Sequence, residues 1–479
     1  MSTVPPEKDV LNLHPPIVAK HWLAHPLMGW FGGSAIILFI CSSVRHLLFQ
    51  SAAFDLGIFD QAVYLISQGL PPISSFLGFH YLGDHAAWSV YLLALLYRIY
   101  PSVYWLLAVQ AICLALGVVP TWLLARQAGL TPALSEAIAI AYLLYPLIFN
   151  INLFDFHPEV MALPVILAAI LAARLGQTIW FCAAVLFVLG CKAVLSLTVA
   201  AMGIWLLLFE QRRLCGAIAL VAGVIWFLVT TQWIIPLFSG SEAAAVGRYD
   251  YLGDAVLDIA QNLFLKPGIV LSKVFSLDTL EYLALLLSPL IWGLSPKHLA
   301  PLIGAIPPIT LNILSNSFAQ RNLVHQYSLP ILPFLLVAVI SGLAAGNTWL
   351  RRPQWIVLWS FIGFIALAKY GYFGSRYLSH LDTWQATREA IAHIETNGGV
   401  LTDMQMSPHV THRPIVYLIR PQTLESNLND CDYVLLNLRH PWDDNFRRVR
   451  RLVNRIQKHP DFQLSYEQDE VYLFTRRGL

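Results

Sequence analysis

Apolar stretches of near membrane-crossing length recur along this chain, and nothing else in the sequence constrains its fold as strongly. About 20 apolar residues in helical form cross the roughly 30 Å hydrocarbon layer of a bilayer. In lipid the backbone has no water to bond to, so each crossing must satisfy its own amides as a helix. Candidate spans run over 27–49, 103–125, 133–151, 159–175, 178–191, 194–209, 214–236, 280–295, 298–315, 327–345 and 354–374, about eleven in all. Some are short, which predicts tilt or partial insertion. Composition agrees: 57% of the 479 residues are hydrophobic and 12% are charged, against about 45–50% and 25% in soluble domains. Too little charge is present to cover a water-facing surface, which excludes a soluble globule. The net charge of +2 says nothing about nucleic acid, but no cluster of Lys and Arg interleaved with aromatics appears before the C-terminal tail, so no nucleic-acid partner is expected. The six cysteines form no C-x-x-C pair, so neither a zinc site nor a disulfide framework is expected.

Orientation follows from Lys and Arg in the short connections. With residues 1–26 cytoplasmic, the cytoplasmic connections hold Arg126, Arg174, Arg212, Arg213, Lys297, Arg351 and Arg352. The opposite connections hold Asp55, Asp60, Asp84, Asp155, Glu159 and the net acidic stretch 237–279. Arg45, Lys192 and Lys369 break the alternation and are expected near the outer surface or in a cavity. The register requires that 86–100 not cross. Its 15 residues are short for a span and read as interfacial or re-entrant. The chain thus reads as an all-α polytopic membrane domain over 27–374, followed by a soluble extracytoplasmic domain over 375–479. In that last region charges become frequent and apolar runs shrink to strand length. TWQATREAIAHIE predicts an amphipathic helix and DNFRRVRRLVNRIQKH a basic one, while 400–404, 415–419, 433–438 and 471–475 predict strands of a small α/β fold.

Polar residues concentrate in a few outer segments. FDLGIFDQAVYLISQG, residues 54–69, has helical apolar spacing and predicts a short surface helix, with Asp55 where an N-cap would stand and Asp60 and Gln61 in its first turns. As structural features these acids would cap the helix and favour its dipole. FHYLGDHAAW, residues 79–88, brings His80, Asp84 and His85, and would otherwise be a hydrated loop. FDFHPEV, residues 154–160, places Asp155, His157 and Glu159 within five residues beside hydrocarbon. That density is costly unless the groups face water, a metal or each other. A cap on the following helix is the plainer alternative. Lys192 interrupts an apolar run and marks an outer turn, since a central lysine costs about 2.5–3.5 kcal/mol. Arg321, His325 and Tyr327 stand at the mouth of a late span, where a cation could meet a phosphate. These segments share one face in the assigned topology.

FDLGIFDQ, GDHAAWSVYLLALLYRIYP and LLAVQAICLALGVVPTWLLARQ resemble an uncharacterised family of bacterial polytopic membrane proteins, a domain of unknown function. That family looks related to the GT-C class of membrane glycosyltransferases, which includes protein mannosyltransferases and aminoarabinose transferases. The resemblance covers about residues 30–345. It implies a GT-C-like bundle in a bacterial inner membrane, with interfacial helices in the first outer loop. It also implies transfer of a sugar from a polyprenyl-phosphate donor to an acceptor on the outer face. The first-loop acid would be Asp55 or Asp60, with Asp55 preferred. Asp155, His157 and Glu159 would hold a divalent metal, magnesium or manganese. Gln61, His80, Asp84, His85, Lys192 and Tyr327 would contact substrate, and Arg321 and His325 the donor phosphate. Besides the lipid-linked donor, membrane lipids are the expected partners. In the resembled class acidic residues often follow the position of Lys192, whereas here Ala193 and Val194 follow. Two alternatives stand beside transfer. One is a non-catalytic relative that binds a lipid-linked glycan or a partner complex, which the Ala193-Val194 departure favours. The other is a transporter, which would place the polar groups at mid-membrane and show related halves.

Overall fold

The computed structural model describes residues 26–419, 424–441 and 446–479, so the N-terminal segment read as cytoplasmic lies, apart from Pro26, outside the described residues. Among the described residues five helices are long and apolar enough to cross a membrane: Pro26–Leu47, Tyr104–Gln127, Pro132–Asn152, Arg213–Ser239 and Gln326–Ala344. Helix Pro353–Leu367, bent by 44° against Tyr370–Leu378, adds a sixth if the pair is one span. Shorter apolar helices Thr178–Leu189, Leu195–Leu208 and Ala300–Leu314 fall on other expected spans.

The bundle is layered. Helix Gln326–Ala344 is its centre, 83% buried over its most apolar window, and Pro26–Leu47 its rim, 17% buried. Helices Leu195–Leu208 and Arg213–Val229 approach so closely that a Cβ on Gly203 would stand 2.4 Å from the Leu220 amide nitrogen. This is the small-residue contact that lets membrane helices pack without a hydrophobic drive. The segments 280–295 and 298–315 are not continuous helices. Leu277–Leu287 stops before Pro289, and short 3₁₀ turns carry the chain through Pro296 and Pro301 to Ile306–Leu314. Proline removes a donor and disfavours helix at the residue before it, so a run punctuated by prolines breaks however apolar it is. Helix Val90–Ile99, within the stretch expected not to cross, has ten residues. Its length of about 15 Å is half a bilayer core.

The first loop is built from a π-helical turn, Ala53–Gly57, running into helix Ile58–Ser67, then strands β1 (Ile73–Ser74) and β2 (Phe79–His80). That helix is not a free surface helix: Ile58, Phe59, Ala62, Val63 and Leu65 are buried, as are Asp60 and Gln61. What covers it is the C-terminal region. There β3 (Val400–Thr402), β4 (Val416–Leu418), β5 (Tyr433–Asn437), β6 (Phe462–Gln468) and β7 (Val471–Arg476) form one sheet in the order β4-β3-β5-β7-β6. The first three strands are parallel, and β7 and β6 join antiparallel. Successive side chains alternate faces. Val400, Leu435 and Leu473 therefore join the core that holds Ala386 and Ala390 of helix Trp384–Ala392. Leu401, Val434, Leu436 and Phe474 pack with Val449, Leu452, Val453 and Ile456 of the basic helix Phe446–Gln457. Four strands fall where the pattern put them. β6 was not expected, because only Phe462 of its seven residues is buried and the apolar signal is lost.

Segment 404–416 grips the first loop on both sides of Asp55. The Ala53 amide donates to Met404 O at 2.9 Å. The Asp60 carboxylate accepts from Tyr97 Oη and Thr411 Oγ1 and faces His412 Nε2 at 3.2 Å. The Gln61 amide donates to the carbonyls of Arg413 and Pro414 at 3.2 Å each.

Candidate functional site

Asp55 lies inside the π-helical turn, two residues after the amide tied to Met404. It is not an N-cap: neither the turn nor the helix after it has a side-chain cap. Its Oδ1 faces His157 Nε2 at 2.9 Å, with the imidazole 2% and the carboxylate 25% exposed. The other ring nitrogen, Nδ1, faces the Asp155 carbonyl at 3.3 Å. Both nitrogens of His157 thus meet acceptors, which favours the doubly protonated ring. Burial alone would lower the His157 pKa, but the Asp55 carboxylate outweighs it and raises the value. Burial would raise Asp55, and the His157 charge instead holds it below the ordinary carboxylate range.

Asp155 does different work. It is buried, and both of its oxygens meet the Arg45 guanidinium; Oδ2 also accepts from the Ala52 amide at 3.0 Å. Its backbone sits at φ +96°, a conformation that costs a non-glycine residue about 1–3 kcal/mol and persists where surrounding contacts over-determine it. The 152–158 turn and the first loop are thereby bolted together next to Asp55.

Glu159, at the start of helix Glu159–Arg174, pairs with Lys192 Nζ at 2.5 Å, and its Oε2 is buried without a hydrogen bond among the described residues. The turn bearing Lys192 is fixed by two backbone bonds of 2.9 Å, from Ser89 N to Gly190 O and from Ala193 N to His85 O. Only glycine fits at 190, where a Cβ would stand 2.2 Å from the Trp88 ring. Lys192 Nζ lies 5.9 Å from the centroid of the Tyr327 ring, and Arg248 packs over that same ring at 5.1 Å. The Arg248 guanidinium has no hydrogen-bond or ion-pair partner among the described residues. His325 meets Phe154 edge-on at 4.0 Å, and burial pushes its pKa down to about 4. His85 pairs with Asp84 at 3.4 Å behind the Lys192 turn.

Asp55, His157, Glu159, Lys192, His325, Tyr327, Asp84 and His85 therefore form one cluster of neighbouring side chains. Asp60 and Gln61 lie at the junction with the C-terminal region. His80 stacks on Phe238 at 4.3 Å. Arg321 is occupied by the carbonyls of Asn312, Ile313 and Ser315 and by Asp278 at 3.6 Å, so it closes the end of helix Ile306–Leu314. Sequence reasoning missed Arg45 and Arg248. Arg45 carried a signal, since it broke the charge alternation. Arg248, in a long loop, carried none. Asp155, His157 and Glu159 do not converge on one point: each faces a different partner, and among the described residues no three His, Cys, Asp or Glu side chains are placed to hold a metal ion. The residues present do not fit a shared metal in this arrangement.

A bundle of apolar helices with a cluster of charged side chains and an appended α/β sheet makes this an integral membrane protein with a GT-C-like fold. Two crystal structures of ArnT from Cupriavidus metallidurans, a glycosyltransferase of that class, are similar over 94% of this chain and 98% of theirs. The one bound to undecaprenyl phosphate has a TM-score of 0.55 at 12% identity, and the apo one 0.56 at 11%. By sequence no curated protein matches. The chain belongs to the family of predicted membrane proteins DUF2079, whose pattern it matches over residues 45–473.

Proposed function

We propose that this protein transfers a sugar from a polyprenyl-phosphate donor to an acceptor hydroxyl on the outer face of the membrane, with the N-terminus cytoplasmic and about eleven crossings. The observation that carries the reading is a cluster in which the Asp55 carboxylate neighbours Lys192 and His325 while the guanidinium of Arg248 packs over the same Tyr327 ring as Lys192. The fold shared with ArnT, one of whose structures holds undecaprenyl phosphate, supports a lipid-phosphate ligand. The contact of Arg212 Nη2 with Arg174 O, and of Arg174 with Glu210, supports the positive connections lying together at the opposite end.

In this mechanism the acceptor oxygen bonds to the anomeric carbon while the bond from that carbon to the phosphate oxygen breaks. The electron pair leaves with the lipid phosphate. Arg248 and Lys192 stabilise that developing anion, which a water-poor site makes effective. Asp55 Oδ2, unpartnered among the described residues, takes the acceptor proton. A carboxylate held below its ordinary pKa is a weak base. Its part is to orient the hydroxyl and accept the proton late, once bond formation has acidified it. His157 fixes the carboxylate in place. No step is routed through a metal.

A second reading, a non-catalytic binder of lipid-linked glycan, is favoured by Ala193 and Val194 and by the engagement of Asp155 and Glu159 in ion pairs. Sugar release from a panel of polyprenyl-phosphate sugars separates the two. Asp55→Asn is expected to retain donor binding and to lose about 10²–10⁴ in turnover. Binding by the wild type with no release of any sugar would establish the binder instead.

A further inference from the structure

Residues 256–280 carry apolar side chains that no described residue covers. Helices Val256–Leu265 and Pro267–Val274 contain no buried residue. Along this stretch Leu257, Phe264, Leu265, Phe275, Leu277 and Leu280 are 56%, 84%, 73%, 76%, 82% and 57% exposed. Leaving large apolar side chains in water forgoes the favourable transfer into an apolar surrounding, and contiguous patches of this kind mark a binding or membrane surface. Two polar side chains turn the other way. Asn262 Nδ2 donates to Leu252 O at 2.5 Å, and Lys273 Nζ donates to Asn316 Oδ1 at 3.0 Å while lying over the Tyr251 ring at 5.1 Å. Asn262 and Lys273 thus face the protein and the large apolar groups face away from it, while Asp258, Gln261, Lys266 and Asp278 stay exposed as the polar edge of an amphipathic pair.

The elements on both sides say what covers the apolar face. The chain enters from Arg213–Ser239, an apolar helix of crossing length whose end exposes Trp233 and Leu237 by 71% and 78%. It leaves through Leu277–Leu287, whose exposed leucines continue the same surface. The patch is therefore an extension of the lipid-facing belt. Helices of ten and eight residues are too short to cross, and a helix with one apolar face lies in the interface, sunk about 5–10 Å.

We propose that residues 256–280 are an interfacial helical pair that embeds in the bilayer at the end of the bundle bearing the Asp55 site, with lipid acyl chains as their partner. The pair follows directly on the Arg248 segment, which is tied back to the bundle by the bond from Asn316 N to Arg248 O at 2.9 Å. Embedding it holds Arg248 at the depth of lipid phosphates. The inference does not depend on sugar transfer.

Hydroxyl-radical footprinting of the unmodified protein in phosphatidylglycerol/phosphatidylethanolamine nanodiscs tests it. Water-borne radicals are expected to oxidise Phe264 and Phe275 at least tenfold more slowly than Phe446, although Phe446 is only 39% exposed. A second measurement uses nitroxides at Leu257→Cys and Phe264→Cys, with Asp254→Cys as the aqueous reference, in a cysteine-free background. Oxygen should relax the first two more than a water-soluble nickel chelate does, and the chelate should dominate at 254. Oxidation of Phe264 and Phe275 at the rate of Phe446, or chelate-dominated relaxation at 257 and 264, would overturn the proposal and leave the face to a soluble protein partner.

Discussion

The bolt between Arg45 and Asp155 gives the sharpest test of how the site is held. Asp155→Asn removes a negative charge from a side chain 1% exposed and leaves the Arg45 guanidinium, 10% exposed, against a neutral amide. Stranding one member of a buried pair costs about 3–5 kcal/mol. Asparagine keeps an acceptor for the Ala52 amide and tolerates the left-handed backbone at 155, so the other terms change little. Arg45→Met strands the carboxylate instead and is expected to cost a similar amount. The double variant strands nothing. It should lie only about 1–2 kcal/mol below wild type, since replacing both members of a buried pair with neutral groups is often nearly neutral. The readout is helix loss by far-ultraviolet circular dichroism in mixed dodecyl maltoside and dodecyl sulfate micelles, fitted as a double-mutant cycle. A cost below about 1 kcal/mol for Asp155→Asn, against the cost of stranding a buried charge, would refute the reasoning. So would a double variant as unstable as the sum of the singles.

His157→Gln removes the charge that holds Asp55 down, so burial should then raise the Asp55 carboxyl and shift the acid limb of the pH–rate profile to higher pH. In the wild type, the raised His157 pKa contributes stability that is full below the ordinary histidine value and lost as pH rises through the folded value; the depressed Asp55 pKa contributes stability present above the ordinary carboxyl value and lost as pH falls through the folded one. The pair is thus intact from mildly acidic to neutral pH, and an acid limb that does not move in the variant contradicts the assignment. Thr411→Val with His412→Gln removes two partners of Asp60. Bonds to a charged group contribute about 1.5–3 kcal/mol each. Amide exchange in 53–67 and 404–416 should therefore rise by about tenfold or more, whereas unchanged exchange would show that the junction is held by other contacts.

Much of the architecture was legible, because hydropathy and charge alternation report directly on lipid exposure. The breaks at 280–315 were legible too, in Pro289, Pro296 and Pro301, but apolar content masked them. The edge strand β6 was not, since an edge strand with one residue buried has no apolar period to read. Around the site, Asp55, His157 and Lys192 could be picked out because charge next to hydrocarbon is costly. Their pairings could not. Asp55 meets a residue 102 positions away, and Asp60 meets Thr411 across 351. That distance is why two acids five residues apart read alike in sequence and sit in different settings in the fold.

The central claim is that Arg248 and Lys192, beside the Tyr327 ring, hold a lipid phosphate. A cryo-electron-microscopy map of the wild-type protein in nanodiscs with a polyprenyl phosphate tests this most directly. The account predicts phosphate density within hydrogen-bond reach of Arg248 and Lys192, with the isoprenoid chain leaving toward the bilayer. Phosphate density away from Arg248 and Lys192, for instance at Arg321, or none at saturating lipid, would contradict it.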